Sequence, residues 1–305
     1  MLFRIEDLWN DTRANANIIS ILQGYSDPRL ERWFATNNAD IYSTDDELSP
    51  VVEKATKYLG VRQGVPMTRT EYQGYSKTSR VGIPEQGPRP VLRVAEAYFL
   101  RAEGMLRNWN MGDGTPESLY NEGIHSAWAS VLGDESGWAG TYESYINGFI
   151  NTEEGGDFDW ELFEGGFGSA PYINYRNQEY NYYIEENGKQ VGINRISVRW
   201  HDEDSPEKKL QRIITQKWIS FFPTLSSVAW TEYRRTGYPK LIPIPSDLNY
   251  SNGAIDTELQ IRRLPFTQSE YRGNTEEVNK ALGLLKGPDN GGTRLWWDVD
   301  KGNFE

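Results

Sequence analysis

The sequence predicts a mainly helical domain with long ordered loops and a few short β-hairpins. Three observations lead there. From Ser205 to Phe221, the residues Leu210, Ile213, Ile214, Lys217, Trp218 and Phe221 recur at three- and four-residue spacing, which makes one apolar stripe on a helix. From Pro90 onward a second stripe runs through Val91, Val94, Ala95, Tyr98, Ala102, Met105, Leu106 and Trp109. The clearest strand signal is Asn187-Gly188 between Tyr182–Ile184 and Val191–Ile193, a two-residue hairpin turn.

Taken in order, Asp11 to Leu22 reads as a helix carrying Ile18, Ile19, Ile21 and Leu22, closed by Gly24. Asp27-Pro28 starts a turn and places Leu30, Trp33 and Phe34 as an apolar contact. Asp27 and Arg29 could pair there, and structural use fits them better than catalysis. Residues 36 to 90 hold scattered Gly and Pro without a period, so they read as surface wrapping the helical body, with one short helix between Ser49 and Leu59. No phosphate-loop glycine spacing occurs in them.

The helix that Pro90 opens carries a Glu103–Arg107 pair at i,i+4. Its small alanines beside large residues suit a close helix pair of the tetratricopeptide kind. Thr115-Pro116-Glu117 caps the partner helix, with Tyr120, Ile124, Ala127, Trp128 and Val131 facing inward. The loop Asn110–Gly114 between them lacks the alternating acids of a calcium loop and reads as a turn. Residues 133 to 200 then form an aromatic-rich insertion with few helix or strand signals, in which Arg195 to Trp200 extends the hairpin.

Ser205-Pro206-Glu207 supplies an N-cap, an N1 proline and an acid at the positive end of the next helix. Pro223 stops it. A shorter helix follows through Val228, Trp230 and Tyr233, with Arg234 and Arg235 opposing the dipole in its last turn and Gly237 ending it. Trp218 and Trp230 read as core, and the arginines as partners of nearby acids. After Pro239 the chain is loop-like, until Asn274 caps a last helix through Val278, Ala281, Leu282 and Leu285 with Glu277 in the capping-box position, and Gly287-Pro288 stops it.

Composition narrows the chemistry. The chain has 305 residues, 37% hydrophobic and 25% charged, and no apolar run approaches the ~20 residues that span a membrane. A net charge of -12 without any Lys/Arg cluster argues against nucleic acid, whose phosphates need a basic face. There is no cysteine, hence no disulfide, thiolate nucleophile or cysteine metal site. The only histidines, His125 and His201, sit in no serine or metal motif. Aromatics reach 13%, with 11 Trp and 18 Tyr.

Five separated stretches resemble the SusD/RagB family. They are Asp27-Pro-Arg-Leu30; Leu92-Arg-Val-Ala-Glu-Ala-Tyr-Phe-Leu-Arg-Ala-Glu103; Gln216-Lys-Trp218 with Trp230 and Tyr233-Arg-Arg-Thr-Gly-Tyr-Pro239; Ile261-Arg-Arg-Leu-Pro-Phe266 with Glu270 and Asn274, similar to a family strand; and Thr293-Arg-Leu-Trp-Trp-Asp298. The resemblance spans nearly the whole chain and implies a SusD-like helical domain over residues 1–305. It also implies glycan binding at the bacterial surface, delivery to a TonB-dependent transporter, and no catalysis or cofactor. The family begins with a lipoprotein signal; Met1-Leu-Phe-Arg-Ile-Glu-Asp7 does not resemble one. The sequence therefore resembles the C-terminal part of a longer lipoprotein, or a truncated relative.

A glycan site needs aromatic planes for the C–H faces of the sugar and amide or charged groups for its hydroxyls. Trp138, Tyr142, Tyr145, Trp160 and Tyr175 are the candidate stacking residues, with Asn174 and Arg176 as polar partners. Two other readings stay open. Glu153, Glu154, Asp157, Asp159 and Glu161 could pair for glycoside cleavage, or the helix pairs could form a protein-interaction scaffold without a sugar site.

Overall fold

The computed structural model describes residues 12–25, 27–36, 58–61, 63–64, 66, 68–79, 90–132, 183–186, 189–192, 196, 198–244, 248–299 and 301–304. Its elements are α1 (Ala16–Gly24), α2 (Arg29–Trp33), α3 (Arg69–Gln73), α4 (Val94–Leu106), α5 (Pro116–Leu132), β1 (Tyr183–Glu186), β2 (Lys189–Gly192), α6 (Pro206–Phe221), α7 (Ser226–Thr236), α8 (Gln268–Gly273) and α9 (Thr275–Leu282). The architecture is mainly helical, as the two apolar stripes predict.

The centre is α4, which packs along α5 and also against α6. Close approach comes from glycine: a Cβ on Gly123 would lie 2.6 Å from the Phe99 ring. Phe99, Ala95 and Ala102 of α4 and Tyr120, Ile124, Ala127 and Trp128 of α5 are buried together with Ile213 and Ile219 of α6. Of the expected α4 stripe, Ala95 and Ala102 are buried and Tyr98, Met105 and Leu106 pack against the core, but its two ends do not, and Phe99 joins it. Val91 is 92% exposed, Val94 66% and Trp109 62%, whereas Tyr98, Met105 and Leu106 are only partly buried. The helix begins at Val94 rather than at Pro90, so Val91 precedes it, and Phe99 over Gly123 sets which side turns inward.

The α5 cap forms as predicted, with Ser118 N donating to Thr115 Oγ1 at 3.1 Å. So does the α6 cap, where Lys208 N donates to Ser205 Oγ. Leu210, Ile213, Ile214, Lys217 and Phe221 are buried on α6, while Trp218 is half-buried. Gly237 ends α7 at φ 75, the left-handed cap that glycine allows. Trp230 is a correction: at 37% exposed it is not core.

Trp33 and Phe34 meet Phe222 with ring centroids 4.9 Å and 5.1 Å from its own, and Leu30 is buried in the same core. Beneath them Arg29 and Asp27 form a fully buried pair, Nη2 to Oδ2 at 2.5 Å. The guanidinium lies over Trp33 and Trp128 and reaches Gln216 Oε1 on α6 at 3.4 Å. The pair is therefore structural.

The stretch after residue 58 is not merely surface. Tyr58, Leu59 and Ser76 are buried, and Val61 bridges to Asn15 while Thr78 bridges to Phe34. Most of the expected Ser49–Leu59 helix lies outside the described residues. β1 and β2 pair antiparallel with Glu186 opposite Lys189, the register that Asn187-Gly188 predicts. Ile196 and Val198–Trp200 do not extend that strand; instead the Tyr25 and Tyr120 hydroxyls donate to the carbonyls of Ile196 and Val198 at 2.8 Å and 2.7 Å. Ile261–Phe266 is likewise not a strand.

Asn274 does not cap α9 with its side chain. Its backbone N–H already closes α8 on Glu270 O, and Glu277 pairs with Lys280 at 2.7 Å rather than forming a capping box. The helix ends at Leu282, ahead of Gly287-Pro288.

Two substitutions test this packing. Gly123→Ala pushes α4 from α5 and is expected to cost about 1–3 kcal/mol in urea unfolding, as overpacking does. Asp27→Asn takes the buried carboxylate from Arg29 and is expected to cost about 3–5 kcal/mol in the same measurement.

Candidate functional site

The seven predicted ligand residues, Trp138, Tyr142, Tyr145, Trp160, Asn174, Tyr175 and Arg176, all lie outside the described residues, as do the carboxylates from Glu153 to Glu161. The described residues give the frame on either side of that segment. The segment follows the end of α5, and the chain after it returns to the same helix, where the Tyr120 hydroxyl holds Val198 and its ring meets Trp200 at a tilt, centroids 5.4 Å apart. Trp200 is pinned in turn by Asp202, which accepts from its indole N–H at 3.1 Å.

The hairpin motif of α6 and α7 is built as a bridge of charge. Glu103 on α4 takes Arg107 from its own helix at 2.9 Å and both Nη atoms of Arg235 on α7 at 2.6 Å and 2.7 Å. Arg235 also pairs with Glu232 at 2.6 Å, and Glu232 accepts from the buried Lys217 of α6 at 3.0 Å. Burial works against the charge of Glu103, yet the hydrogen bonds and charges of Arg235 and Arg107 outweigh it and hold the carboxyl below its usual range. Burial likewise opposes the Arg235 charge, and Glu103 and Glu232 push its pKa up regardless. These ions are spent on one another, which makes the motif a scaffold. Arg234 differs from expectation: its guanidinium donates to the Arg262 carbonyl rather than to an acid.

A further tie closes the C-terminal end onto the same place. Glu207 accepts from the Tyr238 hydroxyl at 2.9 Å and from Asn303 Nδ2 at 2.5 Å, while Arg107 donates to Asn303 O at 2.9 Å.

The described surface carries aromatic groups that the sequence reading did not single out as ligands. Trp296 is 82% exposed and Trp297 59%. They occupy the centre of a turn closed by Asp298 N donating to Leu295 O at 2.9 Å, with ring centroids 5.3 Å apart and planes at 89°. The available signal was local: two adjacent tryptophans within Thr293–Asp298, outside any helical or strand period.

Among the described residues no group of three His, Asp or Glu side chains could hold a metal ion. His201 Nδ1 faces Glu203 at 3.3 Å, and among the described residues no helix is long and apolar enough to cross a membrane.

The chain matches the SusD-like family described as SusD and RagB outer-membrane lipoprotein, over residues 2–145 and 167–298. No protein with a curated functional description matches. Among solved structures, a chitin-binding SusD homologue from Flavobacterium johnsoniae is similar at 38% identity and a TM-score of 0.71, over 99% of this chain and 53% of that one. A SusD homologue from Bacteroides uniformis is 30% identical with a TM-score of 0.71, over 98% and 52%. One from Bacteroides vulgatus is 32% identical with a TM-score of 0.69, over 97% and 51%. This chain thus spans about half the length of each of those relatives.

If the hairpin charges are scaffold, their signature is stability against pH. Glu103 has a lowered folded pKa, so its contribution is whole above about pH 4.3 and is lost as pH falls through the lower folded value. Thermal melts are expected to show Glu103→Gln less stable than the parent near neutrality, with the gap narrowing on acidification.

Proposed function

The chain belongs to the SusD and RagB family of outer-membrane lipoproteins, and from that premise we propose that it binds glycan without breaking it. The observation that carries this reading is the similarity, at 38% identity over 99% of the chain, to a homologue described as chitin-binding. The aromatic content of residues 133–200 supports it, since Trp and Tyr beside Asn and Arg are the groups that cover sugar C–H faces and satisfy hydroxyls. Trp138, Tyr142, Tyr145, Trp160 and Tyr175 stack on the glycan in this proposal, and Asn174 and Arg176 bind its hydroxyls. The helices α4, α5 and α6 serve as the rigid support.

Residues 1–305 act here as one SusD-like domain, with 133–200 as an insertion within it. The domain works at the outer surface of the cell, and it hands glycan to a TonB-dependent transporter. Both statements follow from the family and belong to the proposal.

A glycan array tests it. The purified chain is expected to label a limited set of oligosaccharides, and Trp138→Ala and Trp160→Ala to lose most of that signal without a change in melting temperature. A blank array for the parent chain, or release of reducing sugar that disappears in Glu154→Gln or Asp159→Asn, overturns the reading.

A further inference from the structure

We propose that Asn252–Gly253 is a self-modifying turn, at which the asparagine side chain closes onto the backbone as a cyclic imide and reopens as aspartate or isoaspartate. Glycan binding plays no part in it. The chain holds four Asn-Gly pairs, beginning at Asn147, Asn187, Asn252 and Asn290. Asn252–Gly253 and Asn290–Gly291 fall among the described residues, and their surroundings differ in the groups that the reaction needs.

Ser251 to Ala254 is a tight turn, closed by Ala254 N donating to Ser251 O at 3.0 Å. Its central residues, Asn252 and Gly253, have φ of 53 and 78, the type I′ form. The base of the turn is held. Ser251 N donates to Asn249 Oδ1 at 3.2 Å, Ile255 N to Ser251 Oγ at 3.0 Å, and Asn249 Nδ2 to Ile255 O at 2.6 Å. The tip is not held. Among the described residues neither the Asn252 amide nor the Gly253 N–H has a hydrogen-bond partner, and nothing stands within 4 Å of where a Gly253 Cβ would be.

A type I′ turn passes to type II′ when its central peptide turns over. The first central φ stays positive and the second becomes negative, which glycine permits, and the closing hydrogen bond survives. The turned-over peptide brings Gly253 N alongside Asn252 Cγ, as a five-membered imide requires. Gly253 N gives its proton to hydroxide and attacks Cγ, and the new C–N bond expels the side-chain nitrogen as ammonia. Water then opens either imide carbonyl, leaving aspartate or isoaspartate and one more negative charge. Asn290 is kept from this step. Its Oδ1 accepts from Gly292 N at 3.0 Å and Thr293 N at 3.2 Å, and Gly291 O accepts from Arg262 N at 2.7 Å. Cyclisation there has to break the bonds to Oδ1 first.

Peptide mass mapping of the folded full chain, held in warm, mildly alkaline buffer made with heavy-oxygen water, tests the proposal. The Asn252 peptide is expected to convert about ten-fold faster than the Asn290 peptide, the effect of about one retained hydrogen bond. Its products are expected to be aspartate and isoaspartate, each carrying one heavy oxygen. In urea-unfolded chain the two rates are expected to come together. Gly253→Ala, which crowds the attacking nitrogen, is expected to slow the Asn252 step several-fold while circular dichroism shows the fold kept. An Asn252 peptide that stays unchanged, or converts no faster than Asn290 in the folded chain, overturns the proposal. Aspartate without isoaspartate replaces the imide by direct hydrolysis and overturns it as well.

Discussion

Five ions hold three helices in one register. Arg107 and Glu103 on α4, Arg235 and Glu232 on α7, and Lys217 on α6 meet end to end. Glu103 and Lys217 are buried, and a buried charge is tolerable only with its counter-ion in place. A slide of α7 by one turn would strand Lys217 and Glu103 together. The glycine contact between α4 and α5 then fixes the remaining pair, because Phe99 fits only where Gly123 leaves room.

Much of the frame was legible because its signals are local. Ser205 and Thr115 cap as their positions require, Gly237 takes the left-handed cap, and Glu103–Arg107 forms at i,i+4. Asn187-Gly188 likewise fixed the pairing of β1 with β2. The failures are those where a partner decides. Val91 and Val94 look like core by spacing, but the inward face of α4 is set by a glycine on α5, and glycine adds nothing to an apolar pattern. Asn274 could not cap α9 because it was already engaged in closing α8. Trp230 faces outward since Tyr233, one turn on, takes the buried place and donates its hydroxyl to Glu258 O at 2.6 Å.

The proposed stacking residues were picked out by composition and not by geometry. Stacking residues carry no period, and their meaning depends on which rings face water. Residues 133–182 lie outside the described residues, so that part of the proposal remains a reading of the sequence. Trp296 and Trp297 show what the sequence conceals: the pair resembles a family hallmark, and only the structure shows that both rings are exposed on a turn clamped through Asp298.

The anchoring of Ile196 by Tyr25, and of Val198 and Trp200 by Tyr120, has an evolutionary corollary. A segment whose return point is bolted to the body can grow, shrink or be rewritten without disturbing the body, since each doubling of a loop adds only about 0.6 kcal/mol of closure cost. Changes within residues 133–195 would then leave the bolts that receive the segment in place.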